Sequence, residues 1–299
     1  MIDAVILWVN TDDEYWQKDY EKYSKIENRK TDGSIRYRDY GTLKYLFRGI
    51  EKNMSWVNKV HLILYSASQI PSWLNTNCEK LEIHYHKEFI PINLLPTFNS
   101  NCIELYLHNI ESLSEYYILF NDDQFVLNSL TSDLFVCDDK CVYSIEEKPI
   151  QFNLEQNSIF KTTLDNNLMF EINYCSKNNL PIKKFKHNHL PEIHSKSNEI
   201  SIFKNNEIFF LMSLIESRFR HKNNLTNWMF SDTIKLKKDC IDKKIYKNSK
   251  YIKLNEDFEQ LRDCDLVCIN DEGCDFEERT KKLIDFLDSI YKNKSSFEK

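Results

Sequence analysis

The stretch Tyr116-Tyr117-Ile118-Leu119-Phe120-Asn121-Asp122-Asp123 decides how this chain is read. An apolar, β-prone run of strand length stops abruptly at an amide followed by two acids. The same grammar recurs in Leu266-Val267-Cys268-Ile269-Asn270-Asp271-Glu272. Asn and Asp favour turns, so one copy reads as a strand ending in a turn. Two copies point further. Open α/β sheets bind ligands at the carboxyl ends of their strands. Carboxylates placed there hold a hard divalent cation and, through it, a diphosphate.

Outward from that strand, periodicity organises the rest. Ala4 to Val9 reads as a buried first strand and Glu14 to Ile26 as a charged, aromatic helix. Leu43, Leu46, Phe47 and Ile50 fall at i, i+3, i+4 and i+7, which predicts an amphipathic helix over Gly41 to Lys52. Strands follow at Lys59 to Tyr65 and Leu81 to His84, then a helix marked by Cys102, Ile103, Tyr106, Leu107 and Ile110. This alternation predicts βαβ units and an α/β fold with a mostly parallel central sheet. After Pro149, helical patterns dominate residues 153–180 and 200–236. They predict a helical insertion over residues 150–240, packed on the sheet's catalytic edge, within a single catalytic domain of residues 1–299. The strand at Leu266 then returns to the sheet, and a last helix carries Leu283, Phe286, Leu287 and Ile290.

Composition excludes several classes. A net charge of -6 and a pI near 5.8 argue against a nucleic-acid binder that works by bulk electrostatics. Only four glycines are present, Gly33, Gly41, Gly49 and Gly273, and neither G-x-G-x-x-G nor a P-loop can be built from them. A bound nucleotide must therefore be gripped by side chains and metal. Nine cysteines without a paired C-x-x-C read as free, mostly buried thiols in preference to a zinc site, although Cys264, Cys268 and Cys274 lie close together. No stretch approaches the roughly 18 apolar residues of a membrane span, and the expectation is a cytoplasmic protein. The Lys-rich stretch from Lys235 to Lys253 reads first as a solvated face. Its sharper alternative is contact with an anionic acceptor or the inner face of the cytoplasmic membrane.

Further stretches carry chemistry. Ile2-Asp3-Ala4-Val5-Ile6-Leu7-Trp8-Val9-Asn10-Thr11-Asp12-Asp13 places polar groups at the end of the first strand, where a base and ribose sit in α/β transferases. Arg36-Tyr37-Arg38-Asp39 leads into the Gly41 helix. Pro96-Thr97-Phe98-Asn99-Ser100 opens another, with Asn99 or Ser100 as its N-cap. His187-Asn188-His189-Leu190-Pro191 and Arg218-Phe219-Arg220-His221 follow. In this order the stretches resemble the Stealth family of sugar-phosphate transferases, which includes bacterial capsule polymerases and the lysosomal-enzyme N-acetylglucosamine-1-phosphotransferase. The likeness runs through IDAVILWVNTDD, RDYGTLKYLFRGIEKNMSW, LPTFNS, ILFNDDQF, HLP, ESRFRHKNNL and VCINDEG, nearly the whole chain. Thr11 stands where the family usually has a glycine.

The resemblance implies a nucleotide-sugar transferase fold of GT-A or Rossmann-like type. It also implies transfer of a hexose- or N-acetylhexosamine-1-phosphate from a UDP-sugar to a glycan or lipid-linked glycan hydroxyl, releasing UMP. Asp122, Asp123 and Asp271 are then the candidates to hold Mg2+ or Mn2+, because hard cations prefer carboxylate oxygens. Asn270 either ligates that cation or hydrogen-bonds a phosphate oxygen. Arg220, with Arg218 second, suits a phosphate clamp. His189 is the candidate base, or else a donor that orients phosphate. Asp39 reads either as the partner of Arg36 or Arg38 or as a helix N-cap. Asn10 and Asp13 are assigned to uridine or ribose, Arg36, Arg38, Asp39 and Asn99 to the substrate site more generally, and Trp8 to the pocket wall. The closest rival is a metal-dependent glycosyltransferase that releases UDP; a non-catalytic glycan-binding module is the alternative from another class.

Overall fold

The computed structural model describes residues 1–29, 37–152, 158–244, 247–271, 273 and 275–299. Arg36 and Cys274 lie outside the described residues. The first half alternates strand and helix: β1 (Ile2–Leu7), α1 (Glu14–Ile26), α2 (Leu43–Asn53), β2 (Val60–Leu64), β3 (Leu81–Tyr85), α3 (His86–Phe89), α4 (Ser100–Leu105) and β4 (Tyr116–Asn121). Five short strands come next in space or sequence: β5 (Gln124–Val126), β6 (Val136–Cys137), β7 (Lys140–Tyr143), β8 (Glu147–Lys148) and β9 (Lys184–Phe185). Between β8 and β9 runs α5 (Ile159–Asn178). β10 (Glu192–Ser195), α6 (Lys196–Leu214), α7 (Trp228–Lys237), β11 (Ile241–Asp242), β12 (Lys250–Lys253), β13 (Leu266–Asn270) and α8 (Phe276–Ile290) complete the chain.

The central sheet has the order β10-β4-β1-β2-β3. β4, β1, β2 and β3 are mutually parallel, and only β10 runs antiparallel at the edge. The mostly parallel sheet is as the sequence predicts. Strands covered on both faces read as near-continuous apolar runs, and β1 and β2 do so apart from the buried Asp3 and His61, which face each other at 3.1 Å. Ala4, Ile6, Leu62, Ile118 and Phe120 pack with Leu43, Leu46, Phe47 and Ile50 of α2. Val5, Ile63, Tyr117 and Leu119 pack on the other face with Phe203 and Phe210 of α6 and Phe230 of α7. The register sets Leu7 beside both Ile63 and Asn121, so the carboxyl ends of three strands finish level.

Two expectations are corrected. The helix expected through Ile110 stops at Leu105, where the Tyr106 amide turns back to the Ile103 carbonyl, and a 3-10 turn covers Leu107–Asn109. The strand at Leu266 does not rejoin the parallel sheet. β13 lies in a separate sheet of order β12-β13-β5, parallel to β12 and antiparallel to β5. The cause is local: Asn121-Asp122-Asp123 is a tight turn that passes the chain from β4 into β5, and β5 recruits β13. This second sheet has its own core, including Phe125, Val267, Ile269, Leu283 and Leu287.

Lys235 also departs from the solvated face assigned to it. It is 6% exposed, with its ammonium 3.3 Å from Glu192 and 3.2 Å from Asp232. His187 meets Asp232 at 2.9 Å while stacked on Trp228, and His194 meets Glu199 at 2.8 Å. Burying a charge is tolerated when it is paired and hydrogen-bonded, and these groups tie β10 to the helices. Among the described residues no helix is long and apolar enough to cross a membrane.

The two sheets meet through α2, where Gly49 admits a close approach. A Cβ at Gly49 would stand 2.9 Å from both the Tyr291 hydroxyl and the Val126 carbonyl, two atoms already joined by a 2.6 Å hydrogen bond. The overpacking penalty of about 1–3 kcal/mol exceeds the gain of about 1 kcal/mol in helix propensity. Gly49→Ala is therefore expected to lower stability by about 1–2 kcal/mol in urea unfolding. An unchanged or raised midpoint would show that the two sheets do not press on this helix.

Candidate active site

The carboxyl ends of β1, β2 and β4 open into a cavity of about 540 Å3. Leu7, Trp8, Ile63, Tyr65 and Asn121 line it from the strand ends. The segment Tyr37 to Thr42 adds Arg38, Asp39 and Tyr40. β13 and the residue beyond it add Cys268, Asn270 and Asp271, and the remaining lining includes His86, Thr97, Ser100, Phe160, His189 and Arg220. A smaller cavity of about 140 Å3 shares Asn121, Phe160, His189 and Arg220 with it.

Three acids set the electrostatics. Burial pushes the Asp122 carboxyl up to about 8, with the nearby charges of Asp123 and Asp39 adding to the effect. Burial raises Asp123 to about 6, opposed by the thiol of Cys268, which donates to Asp123 Oδ2 at 3.5 Å. Burial also raises Asp39, although its Oδ1 accepts the Gly41 amide at 2.9 Å. The Tyr40 phenol is held protonated by burial and then by Asp123, Asp271 and Asp122. Like charges gathered in low dielectric favour protons or a cation over bare carboxylates.

The donor set fits a hard cation: Asp122 and Asp123 offer carboxylate oxygens, and Asp123 Oδ1 is buried without a hydrogen-bond partner. Asp271 is engaged differently. Its carboxylate is ion-paired with Arg38 and accepts the Gly273 amide at 2.8 Å, while the Arg38 guanidinium lies 4.3 Å over the Phe276 ring. Asp122, Asp123 and Asp271 thus share the cavity, but no three-ligand cluster within 4.8 Å forms from them among the described residues. Magnesium does not demand one. It keeps several waters and takes one or two carboxylates plus substrate phosphates.

His189 sits against Phe160, Trp228 and Tyr251, with ring centroids 6.0, 5.7 and 5.4 Å away. Burial and then the charges of Arg220 and His187 lower its pKa. The imidazole is therefore neutral near pH 7, the form that accepts a proton. The Arg220 guanidinium donates to Ser100 Oγ, and its backbone carbonyl accepts from Arg29 at 3.0 Å.

Four residues assigned to substrate from sequence do not line either cavity. Asp13 caps α1, accepting from the Tyr15 amide at 3.2 Å and from Ser68 Oγ at 2.8 Å. Asn10 accepts the Asp12 amide at 3.0 Å. Asn99 is the N-cap of α4 and donates to Asn224 at 2.9 Å. Arg218 donates to the Pro96 carbonyl at 3.1 Å and lies 4.9 Å over Tyr23. Sequence reasoning passed over Tyr40, Ser100 as the holder of Arg220, and His86, whose pKa burial drives down to about 3. Tyr40 was signalled by adjoining Arg38-Asp39. His86 follows a strand end, the position that made Asp122 conspicuous.

The family model described as Stealth protein CR2, conserved region 2, matches residues 36–143. Capsular polysaccharide phosphotransferase WcwK of Streptococcus pneumoniae is 30% identical over 331 residues, which covers 100% of this chain and 98% of that protein. Receptor polysaccharide phosphotransferase WefC of Streptococcus oralis is 42% identical over 153 residues, 50% of this chain and 46% of that protein. Exopolysaccharide phosphotransferase cps2G of Lactiplantibacillus plantarum is 41% identical over 138 residues, 46% of this chain and 40% of that protein.

The raised acids make a pH prediction for protein kept in chelator. A carboxyl whose folded pKa exceeds its unfolded value keeps full stability below the unfolded pKa and loses it as pH rises through the folded one. Stability should therefore fall between about pH 4 and pH 8, the range bounded by the ordinary carboxylate value and that of Asp122. Asp122→Asn removes that charge and should raise stability at pH 8–9 by an amount on the order of 2 kcal/mol, read from thermal melts. A variant less stable than the parent at high pH would show that the carboxylate is not under repulsion.

Proposed function

The chain belongs to the Stealth family of bacterial capsular polysaccharide phosphotransferases, and we propose that it transfers a hexose- or N-acetylhexosamine-1-phosphate from a UDP-sugar to a glycan or lipid-linked glycan hydroxyl in capsule or surface polysaccharide synthesis. The observation that carries this reading is the convergence of Asp122, Asp123, Arg220 and a neutral His189 on one cavity at the strand ends. An oxygen of the acceptor attacks the phosphorus that bears the sugar. The bond from that phosphorus to the bridging oxygen breaks, UMP leaves, and a phosphodiester remains.

Mg2+ or Mn2+ held by Asp122 and Asp123, with Asn270 alongside, would neutralise the diphosphate and stabilise the departing UMP phosphate. The chain's own groups do the rest. His189 accepts the hydroxyl proton, and its ring is held by aromatic neighbours in a fixed attitude. Arg220, steadied by Ser100, presents a planar fork to the equatorial oxygens, where charge concentrates during transfer. Arg38 keeps Asp271 neutralised at the cavity rim, and Trp8 supplies an apolar wall for the uracil or sugar. His189 and Arg220 belong to both cavities, so an acceptor entering the smaller one meets the donor at these two residues.

A screen of UDP-sugars for UMP release, with the phosphodiester detected by phosphorus NMR, tests the reaction. Release of UDP in place of UMP would overturn it in favour of glycosyl transfer. Asp122→Ala and Asp271→Ala are each expected to abolish UMP release with the fold retained. His189→Ala should cost about 10^2–10^4 in kcat, with donor KM little changed. An effect confined to KM would make His189 a binding residue.

A further inference from the structure

We propose a second metal site, for Zn2+, at the outer edge of the central sheet, with His61 of β2 and Glu82 and His84 of β3 as its ligands. Among the described residues these are the three groups whose ligand atoms lie within 4.8 Å of one another. His61 Nδ1 lies 2.9 Å from His84 Nε2, His84 Nε2 lies 3.6 Å from Glu82 Oε2, and Glu82 Oε2 lies 3.8 Å from His61 Nδ1. A tetrahedral zinc with bonds of about 2.0–2.1 Å spaces its ligands about 3.3–3.4 Å apart. The three edges straddle that value, and only small side-chain movements separate them from it.

The surroundings are those of a metal-bearing histidine. His61 Nε2 faces Asp3 Oδ2 at 3.1 Å, and a carboxylate behind a ligating histidine fixes the tautomer that turns the other nitrogen to the metal. Asp3 is itself anchored by Asn58 Nδ2 at 2.9 Å, the Lys59 amide at 3.1 Å and the Ser114 amide at 2.8 Å. Without metal, the proton between the two rings sits on His84 Nε2 and points at His61 Nδ1. On binding, His84 carries its proton on Nδ1 instead, toward Glu88 Oε2 at 3.9 Å. Ser112 Oγ donates to Glu82 Oε2, which positions the third ligand.

His61 is fully buried, while the side chains of His84 and Glu82 are 14% and 28% exposed. The metal can therefore arrive from solvent over the edge strand and keep a water as its fourth ligand. Two imidazoles and a carboxylate select zinc over magnesium, and none of these residues lines the transfer cavity. The site's effect is to clamp β3 to β2 and, through His61 and Asp3, to β1.

Zn2+ added to chelator-stripped protein should bind one tight equivalent by calorimetry and raise the melting temperature. His84→Gln and Glu82→Gln, with metal-free melting temperatures matching the parent, should each weaken that equivalent by about 100-fold or more. If His84→Gln fails to fold, the partly exposed Glu82→Gln carries the test. No saturable Zn2+ binding by the parent, or binding left intact in Glu82→Gln, would overturn the site.

Discussion

The amide of Ile269 donates to the carbonyl of Asp123 at 2.9 Å, and this bond couples the two sheets at the point where the acids stand. Asp122-Asp123 is the turn through which β4 of the large sheet becomes β5 of the small one. β5 then pairs with β13 from Gln124 to Val126. Neither acid can retreat from the other without loosening a sheet. Their mutual repulsion is held by a backbone whose hydrogen bonds are satisfied elsewhere, which is how folded proteins maintain unfavourable local arrangements at reactive sites.

The chain treats buried acids in two opposite ways. Asp232 and Glu192 are surrounded by Lys235 and His187. Burial, the first influence on each, is overcome by those cations, so both stay ionised. Such a cluster orders the helices and leaves no charge to spare. Asp122 and Asp123 have no Lys or Arg ion pair among the described residues, and of the two guanidinium groups in the cavity Arg38 is ion-paired with Asp271 while Arg220 donates to Ser100. A carboxylate pair left without cationic partners is under-neutralised until something positive arrives. This contrast, more than the presence of acids, separates the transfer cavity from the paired charges beneath β10.

Legibility tracked the range of the interactions involved. The Glu14–Ile26 helix was readable to the residue, although its N-cap, Asp13, was assigned to ribose. The parallel strands were readable because burial on both faces makes them near-continuous apolar runs, with Asp3 and His61 the buried exceptions in β1 and β2. The joining of β13 to β5 was not, because β5 is three residues long and its partner lies over a hundred positions away. Site residues divide along the same line. Asp122, Asp123, Asn270, Asp271, Arg38, Asp39, Trp8, His189 and Arg220 reach the cavity, whereas Asn10, Asp13, Asn99 and Arg218 satisfy nearby backbone. Asx residues at strand ends and helix starts look alike in sequence whether they face a ligand or a cap. Lys235 misled for a related reason: its Lys-rich neighbourhood is exposed, and its burial depends on Glu192, 43 residues earlier.

Scarcity of glycine explains why so many side chains are braced at this site. A glycine-rich loop grips phosphate with backbone amides, which need no further orientation. With four glycines in the chain, that solution is closed, and each gripping group needs its own support. Arg220 has Ser100, Arg38 has Phe276, and His189 has Trp228 and Tyr251. These supports come from α4, α7, α8 and β12, elements outside the parallel sheet proper apart from their packing on it. The helices added after β8 therefore act as scaffolding for His189, through Phe160 of α5 and Trp228 of α7, while Arg220 is braced from α4. An arginine or histidine loses its catalytic advantage once its rotamer is free, because orientation is part of what it contributes.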